Sequence, residues 1–255
     1  MQLNEVKALI TGGVSGLGLA VARKVVASGG QAILLDINDE AGAAAVAELG
    51  GAVSYIRTDV TSEDGVKESV KLAIDHMGLI NVAVNCAGII GASRVLGREA
   101  PMPLDFFSRT IQVNLVGSFN IIKAVGAAME SNPAGDDGER GVIISTASVA
   151  AYDGQIGQAA YSASKAGIVG MTLPIAREFA RFGVRVNAVA PGIFWTPMVD
   201  GMPDHVQESL SASIPFPSRL GKPEEFADLV THIMENGYLN GETIRLDGAV
   251  RLAPK

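Results

Sequence analysis

The amino-acid sequence predicts an α/β fold: a doubly wound parallel sheet with helices on both faces, in a single domain spanning residues 1–255. Two observations predict it. Short apolar runs alternate with amphipathic stretches along the whole chain. Those runs are continuous rather than alternating apolar and polar, as strands buried on both faces are. No composition break marks a second domain, and no repeat appears at the solenoid periods of roughly 20–50 residues.

The elements follow in order. Val6–Ile10 is a strand that ends in Thr11-Gly12-Gly13. Ser15–Ser28 follows as a helix, with Leu17, Val21, Val25 and Val26 on one face. Ile33–Leu35 is the next strand, closed by Asp36, and Glu40–Leu49 is an Ala-rich helix. Ala52–Ile56, Ser62–Met77 and Val82–Val84 repeat the alternation, with Ser62 placed to cap its helix. Phe106–Met129 reads as one helix, Gly141–Thr146 as a strand, and Ala159–Phe182 as a long helix made irregular by Pro174. Val184–Val189 and Glu242–Leu246 are the last strands. Asn132–Arg140 is polar and Gly-rich, so it is expected to be an exposed excursion. Gly192–Pro217 combines four prolines with Phe194, Trp195, Met198 and Met202, which suggests a lid over an apolar ligand.

Composition narrows the function. Charged residues are 18% of the chain, against a usual ~25%. The net charge is −7, which argues against a general nucleic-acid binder. A single cysteine, Cys86, rules out an internal disulfide framework, and the three histidines show no metal-ligand spacing, so no metal is expected. No apolar run reaches the ~18 residues of a membrane span. Glu5 and Lys7 interrupt the apolar start, so no targeting segment is expected. The chain reads as soluble and cytoplasmic, or of the mitochondrial matrix in a eukaryote.

The first loop carries binding chemistry. Gly12 permits a tight turn, Gly16 lets backbone approach a pyrophosphate, and Gly18 lets the helix pack closely on the sheet. Ser15 and Leu17 lie between them, at a helix N-terminus that offers free N–H groups to phosphate. Asp36 ends the second strand, where a carboxylate accepts hydrogen bonds from ribose hydroxyls and repels a 2′-phosphate. No Lys or Arg follows it nearby, so NAD is expected over NADP. Asp59 and Val60 fall at the rim for the adenine, and Cys86 and Gly88 end the fourth strand with small residues suited to close passage of a ribose. Cys86 reads as a packed residue, since no base adjoins it.

A second group carries reaction chemistry. Ser148 follows the fifth strand, and Tyr161 and Lys165 lie four apart on one helix face. Oxidation of an alcohol needs a proton acceptor, and a free tyrosine titrates near ~10. A Lys ammonium ~4 Å away, at an effective dielectric of ~20, favours the phenolate by at most ~4 kcal/mol before its own desolvation. Lys165 is therefore expected to lower Tyr161, and Ser148 to hold the substrate oxygen toward it.

With these motifs together, Thr11-Gly12-x3-Gly16-x-Gly18, Asn85-Cys86-Ala87-Gly88, Asn114, Ser148, Tyr161-x3-Lys165 and Pro191-Gly192 with Thr196, the chain resembles the short-chain dehydrogenase/reductase family over essentially its whole length. The resemblance implies a seven-stranded Rossmann-type sheet. It implies that Asn114 holds a water in a proton relay to Lys165, and that Phe194 and Thr196 contact the nicotinamide side. Cys86 departs from the commoner second Asn of the family.

Within the family, Gly141–Ala176, Ile214–Gly221 and Leu239–Ala249 look like the type II 3-hydroxyacyl-CoA dehydrogenases, also called type 10 17β-hydroxysteroid dehydrogenases. That likeness implies NAD-dependent interconversion of 3-hydroxyacyl-CoA and 3-oxoacyl-CoA, tolerance of other secondary alcohols, and a homotetramer. Gln155 and Gln158 are candidate substrate contacts, and Arg94 and Arg98 candidate partners for the phosphates of an acyl-CoA. Two alternatives stand beside this reading. One is another enzyme of the same fold, such as a 3-oxoacyl-carrier-protein reductase or a steroid dehydrogenase. The other is a non-catalytic NAD-binding scaffold, which has no chemical need for Asn114, Ser148, Tyr161 and Lys165 together.

Overall fold

Seven strands hydrogen-bond side by side in the order β3-β2-β1-β4-β5-β6-β7, all parallel, in a computed structural model that describes residues 1–196 and 204–254. The strands are β1 (Lys7–Thr11), β2 (Gln31–Asp36), β3 (Val53–Arg57), β4 (Val82–Asn85), β5 (Gly141–Thr146), β6 (Val184–Pro191) and β7 (Thr243–Leu246). β1, β4, β5 and β6 are buried almost without interruption, which is why their sequences are continuous apolar runs.

Between them run α1 (Gly16–Ala27), α2 (Asp39–Leu49), α3 (Glu63–Met77), α4 (Leu104–Ile111), α5 (Gly117–Met129), α6 (Ala159–Phe179), α7 (Asp204–Ala212) and α8 (Pro223–Glu235). One sheet face packs on α1, α2 and α8 through residues such as Val21, Val25, Phe226 and Ile233. The other packs on α3, α5 and α6 through Val66, Val70, Ile121, Val125 and Ala176. Two caps are built from local polar residues: Asn38 Oδ1 accepts from the Ala41 amide at 3.0 Å, and Ser62 Oγ from the Gly65 amide at 3.1 Å. The chain reverses its strand order between β1 and β4, and ligands of such sheets bind at the carboxyl ends of strands at that reversal.

Three expectations are revised. Phe106–Met129 is not one α-helix: a π-helical turn, Gln112–Val116, separates α4 from α5. Asn114 within it bonds the distant Ile89, a contact that local periodicity does not reveal. The run Leu104–Met129 is long and apolar enough in outline to cross a membrane, yet Ile121, Ile122, Val125 and Met129 are buried in the protein core. The Ala159–Phe182 helix becomes 3₁₀ after Phe179 and stops at Gly183, which takes the left-handed conformation (φ 76°).

The third revision concerns Asn132–Arg140, whose tip is exposed but whose ends are pinned. The buried Asn132 amide donates to Ile80 O at 2.8 Å and Arg140 O at 3.0 Å. Glu139 pairs with buried Arg185 at 2.7 Å. The Arg185 guanidinium also donates to Ile233 O, Met234 O and Leu239 O, so it closes the C-terminus of α8. Removing it leaves a half-buried carboxylate and several carbonyls without their donor. Arg185→Ala is expected to cost about 3–5 kcal/mol. Chemical denaturation should show this as a lower midpoint, and an unchanged midpoint would refute the role of this node.

Candidate active site

At the reversal of strand order lies a cleft of about 900 Å³. Its floor is the loop between β1 and α1. Gly12 is left-handed (φ 61°), and a Cβ on it would lie 2.8 Å from the Ala87 amide nitrogen. A Cβ on Gly18 would lie 2.3 Å from Gly12 O, so the first turn of α1 is seated directly on the loop. Thr11 Oγ1 accepts from the amides of Cys86 and Ala87 at 3.2 and 3.1 Å, which holds the ends of β1 and β4 together. Ser15 caps α1 by position only; its hydroxyl makes no capping bond and lines the cleft with Gly16 and Leu17. Exposed backbone, a helix N-terminus and absent side chains make a cradle that fits a pyrophosphate.

One end of the cleft is acidic. Asp36 Oδ1 accepts from the amides of Ile37 and Asn38 at 2.8 and 3.1 Å. That fixes the carboxylate and leaves Oδ2 without a partner among the described residues. Asp59 Oδ1 is likewise held by the amide and hydroxyl of Thr61, and Val60 O by the Asn120 amide. The parallel register sets Arg57 opposite Asp36, which corrects the expectation of no nearby cation. Its guanidinium is engaged, donating to Ile37 O at 2.6 Å and to Asp39 at 2.9 Å. The pairing of β2 with β3 brings it there, and no spacing along the chain signals it.

The other end is lined by Tyr161 and Lys165, with Ser148 buried beside Tyr161 and not on the cleft wall. Ser148 closes β5, and its Oγ accepts from the Ala150 amide at 3.1 Å at the start of a 3₁₀ turn, Val149–Ala151. The same hydroxyl lies close enough to the Tyr161 phenol to favour its ionised form. Lys165, one turn along α6, is 6% exposed and donates to Thr146 O at 2.7 Å. Its Nζ lies 5.8 Å from the centre of the Tyr161 ring. Burial pulls Lys165 down to about 8 and pushes Tyr161 above its ordinary value, against the lowering contributed by Ser148. The expected lowering of Tyr161 by Lys165 is thus not what the protein alone produces. The two groups are desolvated together, and desolvation opposes charge on each.

Asn114 stands in the π turn. Its Oδ1 accepts from the Ile89 amide at 2.8 Å, and its Nδ2 donates to Ile89 O at 2.9 Å and Ser164 Oγ at 3.1 Å. The side chain is therefore a structural staple for the segment after β4, and Gly88 passes 3.2 Å beneath it, measured to an added Cβ. Cys86 is packed as expected: Thr146 donates to its sulfur at 3.4 Å, and burial pushes the thiol up to about 11.

Several expected contacts are not assembled here. The Phe194 ring is buried edge-on against Phe226, 6.4 Å between centroids, in the core beside α8; Thr196 alone of the pair lines the cleft. Gln155 and Gln158 bond to each other, and Gln155 Nε2 donates to Ala253 O at 3.0 Å. Arg94 and Arg98 are exposed and do not line the cleft. Arg109 on α4 does, and Gln112 beside it; neither has a motif to announce it. Of the expected lid, Ile214 is buried and α7 is formed, while Met198 and Met202 lie outside the described residues.

Comparison with known proteins agrees with this geometry. Residues 6–207 match the family model for short chain dehydrogenase. The chain is 52% identical over 249 residues to the 3-hydroxyacyl-CoA dehydrogenase type-2 of Homo sapiens, covering 97% of this chain and 95% of that one. It is 36% identical to the 3-oxoacyl-acyl-carrier-protein reductase of Thermotoga maritima, over 98% and 99% of the two chains. The crystal structure of 3-hydroxyacyl-CoA dehydrogenase type-2 from Mycobacterium avium superposes with a TM-score of 0.95 at 40% identity, over all of this chain and 99% of that one. A nicotinamide cofactor is implied by that kinship and fits the glycine cradle. A seven-stranded parallel sheet, a cleft at its reversal point and Tyr161 set between Ser148 and Lys165 thus meet in one chain, an oxidoreductase that belongs to the short-chain dehydrogenase family.

Proposed function

We propose that this protein interconverts a 3-hydroxyacyl-CoA and a 3-oxoacyl-CoA with NAD as cofactor. The observation that carries the reaction is Tyr161 at one end of the cleft, with Ser148 beside its phenol and Lys165 beside its ring, opposite the Asp36 end. The 52% identity to a 3-hydroxyacyl-CoA dehydrogenase type-2 supports the substrate. The cofactor, when bound, supplies the hydride acceptor for oxidation and the donor for reduction.

This chain's residues do the rest. Ser148 Oγ orients the substrate oxygen, and Tyr161 Oη takes its proton in oxidation and returns it in reduction. Lys165, anchored on Thr146 O, holds a cation near the phenol and contacts the ribose. Asn114 keeps the Ile89 segment in place beneath them. Gly12, Ser15, Gly16, Leu17 and Gly18 receive the pyrophosphate, Asp36 the adenosine ribose, and Asp59, Val60, Cys86, Gly88 and Thr196 line the rest of the path. We assign the 192–217 segment as the cover of the substrate side. We extend the resemblance to a homotetramer, whose interfaces would cover apolar groups exposed here such as Phe119 on α5 and Leu173 on α6.

Asp36 makes the cofactor choice. Its fixed carboxylate repels a 2′-phosphate, and Arg57 beside it is paired with Asp39. Initial rates of acetoacetyl-CoA reduction are expected to be high with NADH and low with NADPH. Asp36→Ala should narrow that ratio by tenfold or more, about 1.4 kcal/mol, because Arg57 remains nearby. A wild-type preference for NADPH would sink the cofactor assignment. Absence of turnover with tight NADH binding would move the substrate elsewhere.

A further inference from the structure

Between Ser148 and Tyr161 the chain makes a loop that no part of the proposed chemistry explains. It is fastened to the C-terminal segment at several points. Arg245, at the end of β7, donates to Asp153 on the loop at 2.6 Å, to Asp247 at 2.7 Å and to Val250 O at 3.1 Å. Its guanidinium also lies 5.2 Å from the centre of the Tyr152 ring. Farther along, the Ile156 amide donates to Pro254 O at 3.0 Å, as Gln155 does to Ala253 O. The partners are some 92 to 98 residues apart in sequence.

Both ends of the loop carry reacting groups. On one side, the amides of Tyr152 and Asp153 bond to Val149 O in the turn that Ser148 opens. On the other, the Gln155 amide donates to Gln158 Oε1 and the Ser162 amide to Gln158 O, in the first turn of α6 beside Tyr161. The C-terminal segment is itself seated: Val250 is buried with Ile214 and Leu220, and Leu252 packs on them.

We propose that Arg245 and Asp153 are positioning residues whose ion pair clasps the 149–158 loop to the C-terminal segment and thereby sets the spacing of Ser148 and Tyr161. The inference rests on the reading above that this pair reacts. The clasp acts by geometry, not as charge: burial and the neighbouring Ser148 hydroxyl are what act on Tyr161, Lys165 lies beside its ring, and Cys86 beside Lys165. An ion pair of this kind, about a fifth exposed on each side, is firmer than a surface pair and still breakable by one substitution.

The test is Asp153→Asn in the NAD-saturated protein. Tyr161 is followed by its near-ultraviolet phenolate absorbance, as the difference from the same protein carrying Tyr161→Phe. Loosening the clasp draws the Ser148 hydroxyl away from the phenol that it helps to ionise, so the phenolate is expected at higher pH than in the wild type. Acetoacetyl-CoA turnover should fall about tenfold, in line with small misplacements of reacting groups, while NADH affinity holds. Arg245→Lys, which keeps one charge at the site, should fall between the two.

A Tyr161 titration identical to wild type in a variant that binds NADH normally would overturn the clasp. Should Asp153→Asn lose NADH binding through misfolding, Arg245→Lys decides by the same titration. The titration needs no substrate. Failure of acyl-CoA turnover in the wild type would therefore count against the substrate, and an unmoved phenolate against the clasp.

Discussion

Tyr161→Phe is expected to leave NADH binding unchanged and to lower kcat by a factor on the order of 10²–10⁴, the usual contribution of a positioned proton-transfer group. The substitution removes one oxygen. The ring keeps its packing in α6, and Lys165 keeps its bond to Thr146 O, so the fold and the cofactor end are untouched. What is lost is the phenol oxygen beside Ser148 at that end of the cleft. In the wild type, burial holds Tyr161 above its ordinary value and Lys165 down at about 8. Oxidation, which needs the proton removed, should therefore quicken as pH rises; reduction, which needs it supplied, should not. Stopped-flow binding and steady-state rates check both halves. Retention of the oxidation rate in the Phe variant would exclude Tyr161 as the base.

Gly18→Ala is expected to be nearly as damaging, by a different route. The new methyl would meet Gly12 O at 2.3 Å and Gly13 Cα at 3.1 Å, both backbone. Gly12 cannot retreat, because the Ala87 amide and Cys86 carbonyl carbon already fill the space beside it. α1 must lift, and its N–H groups leave the position from which they serve a phosphate. Overpacking of this sort costs about 1–3 kcal/mol of stability. The affinity for NADH should fall at least tenfold, about 1.4 kcal/mol. Calorimetric titration with NADH reads the second effect and thermal unfolding the first; normal values in both would mean that the loop has slack which these distances deny.

The strands were legible because burial on both faces leaves a continuous apolar signature, as in Leu9-Ile10 or Ile143-Ile144. The cap at Ser62 was legible, since a cap is decided within four residues; the one at Asn38, equally local, was not among the expectations. Gly12, Gly16 and Gly18 were legible because the need for a missing side chain is local. What escaped was decided through space. The π turn at Asn114 answers to Ile89, 25 residues away. Arg57 reaches Asp36 only through sheet register. Phe194 is claimed by Phe226, and Gln155 by Ala253. The direction of Tyr161 escaped for the same reason: a sequence shows that Lys165 is near but not how much water both have lost.

Arg185 gives the chain an unusual allowance. Because Glu139 and Asn132 are fixed at the two roots of their excursion, and Gly138 O lies against Gly183, the exposed tip at Asp136 and Asp137 carries little of the load. An inserted epitope, a reporter group or a protease nick at Asp137 would fall between two anchored posts, and the strand pairing of β5 with β6 beneath would not register it. This is the point at which the protein can be lengthened or tethered without touching its cleft.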